Sequence, residues 1–215
     1  MADIFNEVNE DVRKEKSLAL WKAYGKYVIG LAVLIVVATG SYVGWQNYQQ
    51  NQSRTQGAEF NAAAALMTAG NPAAAAAAFG ELAEDGNAGY RPLARLREAA
   101  AFLAAGEGVK ALAVYDQLAF DGSVDPEFTA LADLMAGYYL LDNGTTEEVR
   151  SRISRLTEPG SLFNASANEL LALSHIKDGE ITKAREVLTI IQNDATVPDD
   201  IKGRVSQLLA ALEGK

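Results

Sequence analysis

The chain has no cysteine and a single histidine among its 215 residues. The first absence excludes a disulfide framework, a thiolate zinc site and a cysteine nucleophile. It is compatible with an oxidising compartment. The sequence also lacks clustered metal ligands. The nearest approach to a glycine-rich phosphate loop, "AAGEGVKAL", misses both the Walker spacing and its following hydroxyl. No cofactor, metal or small-molecule substrate is expected, and the chain does not read as an enzyme. A basic footprint is missing too. Residues 1–52 balance five basic against five acidic groups, so the whole formal charge of −9 lies in residues 53–215. Nucleic acid, which needs clustered cations, is therefore not an expected partner. "NGT" at Asn143 and "NAS" at Asn164 match glycosylation acceptors, but matches this short arise by chance.

Charge is absent altogether from one stretch. "YVIGLAVLIVVATGSYVGW", Tyr27 to Trp45, holds nineteen residues and no ionisable acid, lysine or arginine. As a helix it would span roughly 28 Å, the thickness of a bilayer's hydrocarbon. A core helix would carry a polar stripe, and Val28 to Ala38 has none. A cleaved export signal is the competing reading, with Ala38 and Gly40 as its small residues. The preceding 26 residues are too long and too acidic for a signal's short basic region. An uncleaved transmembrane helix over 27–45 is the expectation, with the lipid bilayer as its environment.

Orientation follows from lysine and arginine near the span. Arg13, Lys14, Lys16, Lys22 and Lys26 precede it, whereas the first basic residue after it is Arg54. That places residues 1–26 in the cytoplasm and the C-terminal domain outside. Trp21, Tyr24 and Tyr27 before the span, and Tyr42, Trp45 and Tyr48 after it, are the expected interfacial anchors. Ile4, Phe5, Val8 and Val12, then Leu18, Trp21 and Tyr24, fall at helical spacing. Residues 1–26 thus read as an amphipathic segment, lying either on the membrane face or on a partner protein. Gly40 and Gly44 permit close helix approach, although small residues are common in spans anyway. Residues 46–53 read as a polar linker.

Strand alternation is absent from residues 54–215, which read as helix, turn, helix repeated about four times and then a cap. Turn signals carry Gly70, Gly106, Gly144 and Gly179, spaced by 36, 38 and 35 residues. A period in the mid-thirties marks stacked helical hairpins. The register around each glycine is consistent. Seven before it stands Ala63, Ala99, Gly137 or Ala172; three before, Met67, Leu103, Leu141 or Ile176. Five after stands Ala75, Ala111, Val149 or Ala184; nine after, Phe79, Tyr115, Ile153 or Leu188; twelve after, Leu82, Leu118, Leu156 or Ile191. The small residues let paired helices approach, and the large ones fill the space between hairpins. The alanine-rich first repeat supplies little core. "PDDIKGRVSQLLAALEGK" reads as a helix closing the stack's end.

This pattern resembles the tetratricopeptide repeat. It departs from it at the first helix, where Glu59, Arg95, Asp133 and Asn168 replace the usual tryptophan or tyrosine, and in lacking the closing proline. Pro92, Pro126 and Pro198 stand near helix starts instead. The acidic "EVNEDVRKEKSLALWKAYGKY", one span and the repeats together resemble the YfgM-type family of bacterial inner-membrane proteins. The resemblance implies a periplasmic repeat domain beside the SecYEG translocon, passing exported polypeptides to periplasmic chaperones. It carries over no catalytic residues.

His175 falls four before Gly179, matching Leu66, Phe102 and Leu140. That is an inward position, so a buried structural histidine is expected rather than a lone base. In tetratricopeptide arrays the first helix of each hairpin lines a groove. By register that groove presents Phe60 and Met67, Leu96 and Leu103, Leu134, Tyr138 and Leu141, then Leu173 and Ile176. An exposed apolar patch marks an interaction site; filling by the closing helix or by a second copy explains it equally. A periplasmic scaffold with one dedicated partner in an envelope-assembly or cell-division complex would use the same fold.

Overall fold

The computed structural model describes the backbone of residues 2–213 and the side chains of residues 18–213. It is all-helical among those residues. The chain divides into two compact units, 1–55 and 56–215. Helix α1 runs Ala2–Thr68. The apolar face expected from Ile4, Phe5, Val8 and Val12 lies outside the described side chains.

The first unit answers the core-helix reading. α1 carries one stretch long and apolar enough to cross a membrane, and none of that apolar window is buried. Val28, Leu31, Leu34 and Val36 all stand exposed. Water would penalise so much bare apolar surface; hydrocarbon would not. The polar residues 46–53, expected as a linker, are helical and belong to α1.

The second unit begins with 56–68, the last part of α1. It continues with α2 (Pro72–Asp85), α3 (Tyr90–Ala104), α4 (Gly108–Ala119), α5 (Pro126–Asn143), α6 (Thr146–Ile153), α7 (Asn164–Lys177), α8 (Ile181–Asn193) and α9 (Asp199–Leu212). From α2 onward each helix packs on the next in sequence, as stacked hairpins must. The twelve residues at +5, +9 and +12 from the turn glycines are all buried, and so are the four small residues at −7. Gly137 shows why those are small: a Cβ there would lie 2.8 Å from Leu170 Cδ2 and 2.9 Å from Ile153 Cγ2.

Three of the four turns share one construction. At Gly106, for example, φ is +78°, the left-handed region that glycine enters without a Cβ penalty. Its N–H donates to Leu103 O and the Glu107 N–H to Phe102 O, closing the helix end. The third turn departs from this. Gly144 is extended at φ −122°, and its N–H donates to Leu140 O. Thr145 then starts α6 through a reciprocal cap, Oγ1 accepting from Glu148 N at 3.2 Å and Glu148 Oε2 accepting from Thr145 N at 2.7 Å. α6 is short and ends at Ile153, so Leu156 reaches its buried place from beyond the helix.

At the far end α9 packs on α7 and α8. Val205 and Leu212 join Leu188 and Ile191 in one apolar cluster. The expected closing helix is there, and it occupies the end of the stack.

Candidate functional site

The first helices of the hairpins, 56–68 of α1 with α3, α5 and α7, carry the nine residues expected to line a groove. Phe60 and Met67 are half-buried against the first cluster, beside Ala63 and Phe79. The Phe60 and Phe79 rings meet edge to face, centroids 5.2 Å apart. These two candidates come together in a cavity of about 250 Å³ shared with Ala64, Thr68, Phe79, Arg97 and Ala100. Leu96 is half-buried against the next cluster, while Leu103 is exposed. Tyr138 and Leu141 are half-buried on the third cluster, and Ile176 is half-buried on the last. Leu173 is half-buried.

Leu134 is a correction. It is 3 % exposed and sits inside the cluster of Val149, Ile153 and Leu170. Register alone equated it with Phe60 and Leu96. The packing of α7 on α5 covers that point of α5. Leu134 is core and presents nothing to a partner.

Position −10, occupied by Phe60, Leu96 and Leu134 earlier, holds Glu169 in the last repeat. That carboxylate is buried and accepts two hydrogen bonds from Arg204 of α9. The pairing raises the Arg204 pKa further. Burial, with help from the Glu169 charge, raises that of the neighbouring Tyr138 phenol. The two-bond fork ties the closing helix to the stack.

His175 does have a partner, which sequence spacing did not reveal. Its Nδ1 lies 2.6 Å from Glu180 Oε2. A carboxylate cannot donate, so the imidazole N–H does. Arg150 reaches the same group, donating to Asp178 Oδ2 at 2.6 Å and to Glu180 Oε2 at 3.2 Å. Lys183 and His175 hold the Glu180 carboxyl well below its usual range, at about 2. Lys177 donates to Leu141 O at 2.6 Å and Gly144 O at 2.9 Å, placing a cation on the end of α5. Together these contacts fasten the fourth turn to the third hairpin. A histidine pinned among arginine, lysine and two carboxylates serves as a fastening.

A second, larger cavity of about 650 Å³ lies between α4, α5 and α6. Leu112 and Leu140 contribute apolar surface, and Arg152 bridges Asp116 of α4 to Asp133 of α5, the latter at 3.2 Å. Arg155 adds a looser contact to Asp133 at 3.5 Å. Burial alone would lower the Arg152 pKa, but the hydrogen bonds and charges of Asp116 and Asp133 outweigh it and raise the value. Asp133 stands where the repeat usually has an aromatic residue. Its use here is ionic, which explains that departure from the pattern. Among the described residues no group of three or more histidine, aspartate or glutamate side chains could hold a metal.

Sequence reasoning missed Arg97 and Thr68 at the rim of the smaller cavity. Arg97 follows Leu96 directly, so a cation beside the groove register was readable. That it faces Phe60 and Met67 across two hairpins was not.

Hairpins in this register, with a small residue at −7 and buried aromatic or aliphatic residues at +9 and +12, define a helical-repeat interaction domain. The chain belongs to the family described as the tetratricopeptide repeat-like domain, which it matches over residues 19–193. Such domains mediate protein–protein interactions and are in general non-catalytic. The match takes in the apolar stretch of α1 as well as the repeats. No curated protein and no solved structure matches the chain.

Proposed function

We propose that this protein is a membrane-anchored adaptor associated with the SecYEG translocon, which passes exported polypeptides to periplasmic chaperones through its repeat groove. The observation that carries the reading is the apolar cavity of Phe60 and Met67 on the first helices of the stack. Leu103, Tyr138, Leu141, Leu173 and Ile176 extend the same register. Apolar contact is non-directional, so such a surface accepts many sequences. Ordering an unfolded segment offsets much of the contact energy and keeps binding weak. The uncharged span and the basic residues before it support a single pass in a bacterial inner membrane, with the N-terminus cytoplasmic and the repeats periplasmic. The resemblance of the N-terminal segment supports the translocon as neighbour.

Photocrosslinkers placed at Met67 and Leu103 in living cells test the reading. Ile190, 70 % exposed on a second helix, is the control. Crosslinks from Met67 and Leu103, and not Ile190, to translocon subunits, exported chains and chaperones are expected. Crosslinks to one envelope protein alone would replace the adaptor with the dedicated scaffold.

A further inference from the structure

We infer that the cavity between the end of α1 and α3 selects an internal, extended polypeptide segment carrying a large apolar side chain with a carboxylate two residues away, the carboxylate pairing with Arg97. The inference rests on the groove reading above and adds a charge preference to it.

The cavity is about 250 Å³. That is below the roughly 300 Å³ at which pockets begin to suit drug-sized molecules, and it fits one side chain. Phe60, Ala64, Met67, Phe79 and Ala100 give it carbon walls. Met67 is flexible and polarizable, so the walls adapt to leucine, methionine or phenylalanine alike. Only two lining residues are polar. The Thr68 hydroxyl is already used, donating to Ala65 O at 2.9 Å. Arg97 remains, and no carboxylate pairs with it among the described residues. The next residue, Glu98, is turned towards α2: a Cβ on Gly80 would lie 3.1 Å from its Oε1.

A free guanidinium at an apolar pocket is notable in this domain. Residues 53–215 carry the whole formal charge of −9. The surface as a whole repels acidic segments, and at this rim it attracts them. In an extended chain residues i and i+2 point the same way, roughly 6.7 Å apart. An apolar side chain in the cavity therefore presents its second neighbour, on either side, to the rim. The groove positions continue past α3 to Tyr138, Leu141 and Ile176, which favours a segment that runs on over one that ends here.

The test uses the full chain in zwitterionic lipid nanodiscs and three fluorescein-labelled twelve-residue peptides, otherwise serine and asparagine. Their centres are Glu-Ser-Leu-Ser-Glu, Lys-Ser-Leu-Ser-Lys and Glu-Ser-Ser-Ser-Glu. The first is expected to bind about 5-fold tighter than the second, the upper reach of an exposed ion pair, with the advantage shrinking in molar salt. The third is expected not to bind. Arg97→Glu should reverse the order of the two leucine peptides, and Thr68→Glu should erase the difference. Both residues are exposed, and a thermal melt establishes that the variants are folded. Equal binding of the two leucine peptides, unchanged in Arg97→Glu, overturns the carboxylate preference and leaves the groove reading standing. Binding of the leucine-free peptide as tight as the first overturns the role of the cavity. No binding of any peptide at millimolar concentration overturns both.

Discussion

Arg204 on α9 holds Glu169 on α7 in a two-bond fork, Nε donating to Oε1 at 2.9 Å and Nη2 to Oε2 at 2.8 Å. The pair is lopsided. The Glu169 side chain is 6 % exposed and the Arg204 side chain 50 %. The last repeat has a carboxylate where earlier repeats have apolar residues, and the closing helix brings its counter-charge.

That asymmetry sets the outcome of mutation. Arg204→Ala leaves a buried carboxylate unpaired and is expected to cost about 2 kcal/mol. Arg204→Lys should recover only part, because an ammonium cannot reproduce the fork. Glu169→Leu leaves a guanidinium that water can still solvate, and should be nearly neutral. Thermal melting followed by circular dichroism ranks the three. A Glu169→Leu loss as large as that of Arg204→Ala would contradict the account.

The repeat unit should fold without residues 1–53. A fragment of residues 54–215 is expected to be soluble and helical, with no strand signal in circular dichroism. Within it, Leu118 is fully buried. Leu118→Asp puts an unpaired charge among apolar side chains and should unfold the fragment cooperatively. Unchanged melting would refute the packing register.

Gly137 tests the close approach of α5. Gly137→Ala gains roughly 1 kcal/mol of helix propensity but must displace Leu170 Cδ2 and the β-branch Cγ2 of buried Ile153, so its net effect should be a loss of up to about 1 kcal/mol. Gly137→Val adds branches that those side chains cannot clear and should cost about 2 kcal/mol. Urea denaturation distinguishes the two. Equal stability of both variants would mean that the contact is slack.

Glu180 gives an acid signature. Its folded pKa, about 2, lies below the ordinary 4.5. A carboxyl depressed on folding stabilises the fold above its unfolded pKa, and loses that contribution as pH falls through the folded one. The melting temperature should therefore drop between pH 4.5 and 2. In Glu180→Gln that part of the drop should be smaller. Parallel profiles would show that the contacts to Lys183 and His175 contribute nothing measurable.

Topology is tested directly. A reporter fused after Lys215 should be active only outside the cytoplasm, since five basic residues precede the span and the first after it is Arg54. Activity confined to the cytoplasm, or a mature chain starting near Ser41, would overturn the single-pass reading.

Sequence by itself determined the helical hairpins of the repeat unit and their register, though not that residues 46–53 continue α1. The uncharged nineteen-residue run lies in a helix long and apolar enough to cross a membrane, as its length and composition predict. The sixteen residues at −7, +5, +9 and +12 recur in four repeats because each must meet the same kind of neighbour, and all sixteen are buried. The reciprocal cap of Thr145 and Glu148 was not read from the sequence, although its three-residue spacing is there; the structure showed it. What repeats cannot announce is where they differ. Leu134 and Phe60 share a register position, yet α7 covers one, while the other opens into a cavity. The partners of Asp133 and Glu169 lie on other helices, that of His175 lies across a turn, and the cavity beside Arg97 is built by helices distant in sequence. Burial of a side chain and pairing of a charge depend on which neighbours the stack brings within a few ångströms. That distance is set by the packing of whole helices, and only the tertiary structure decided it.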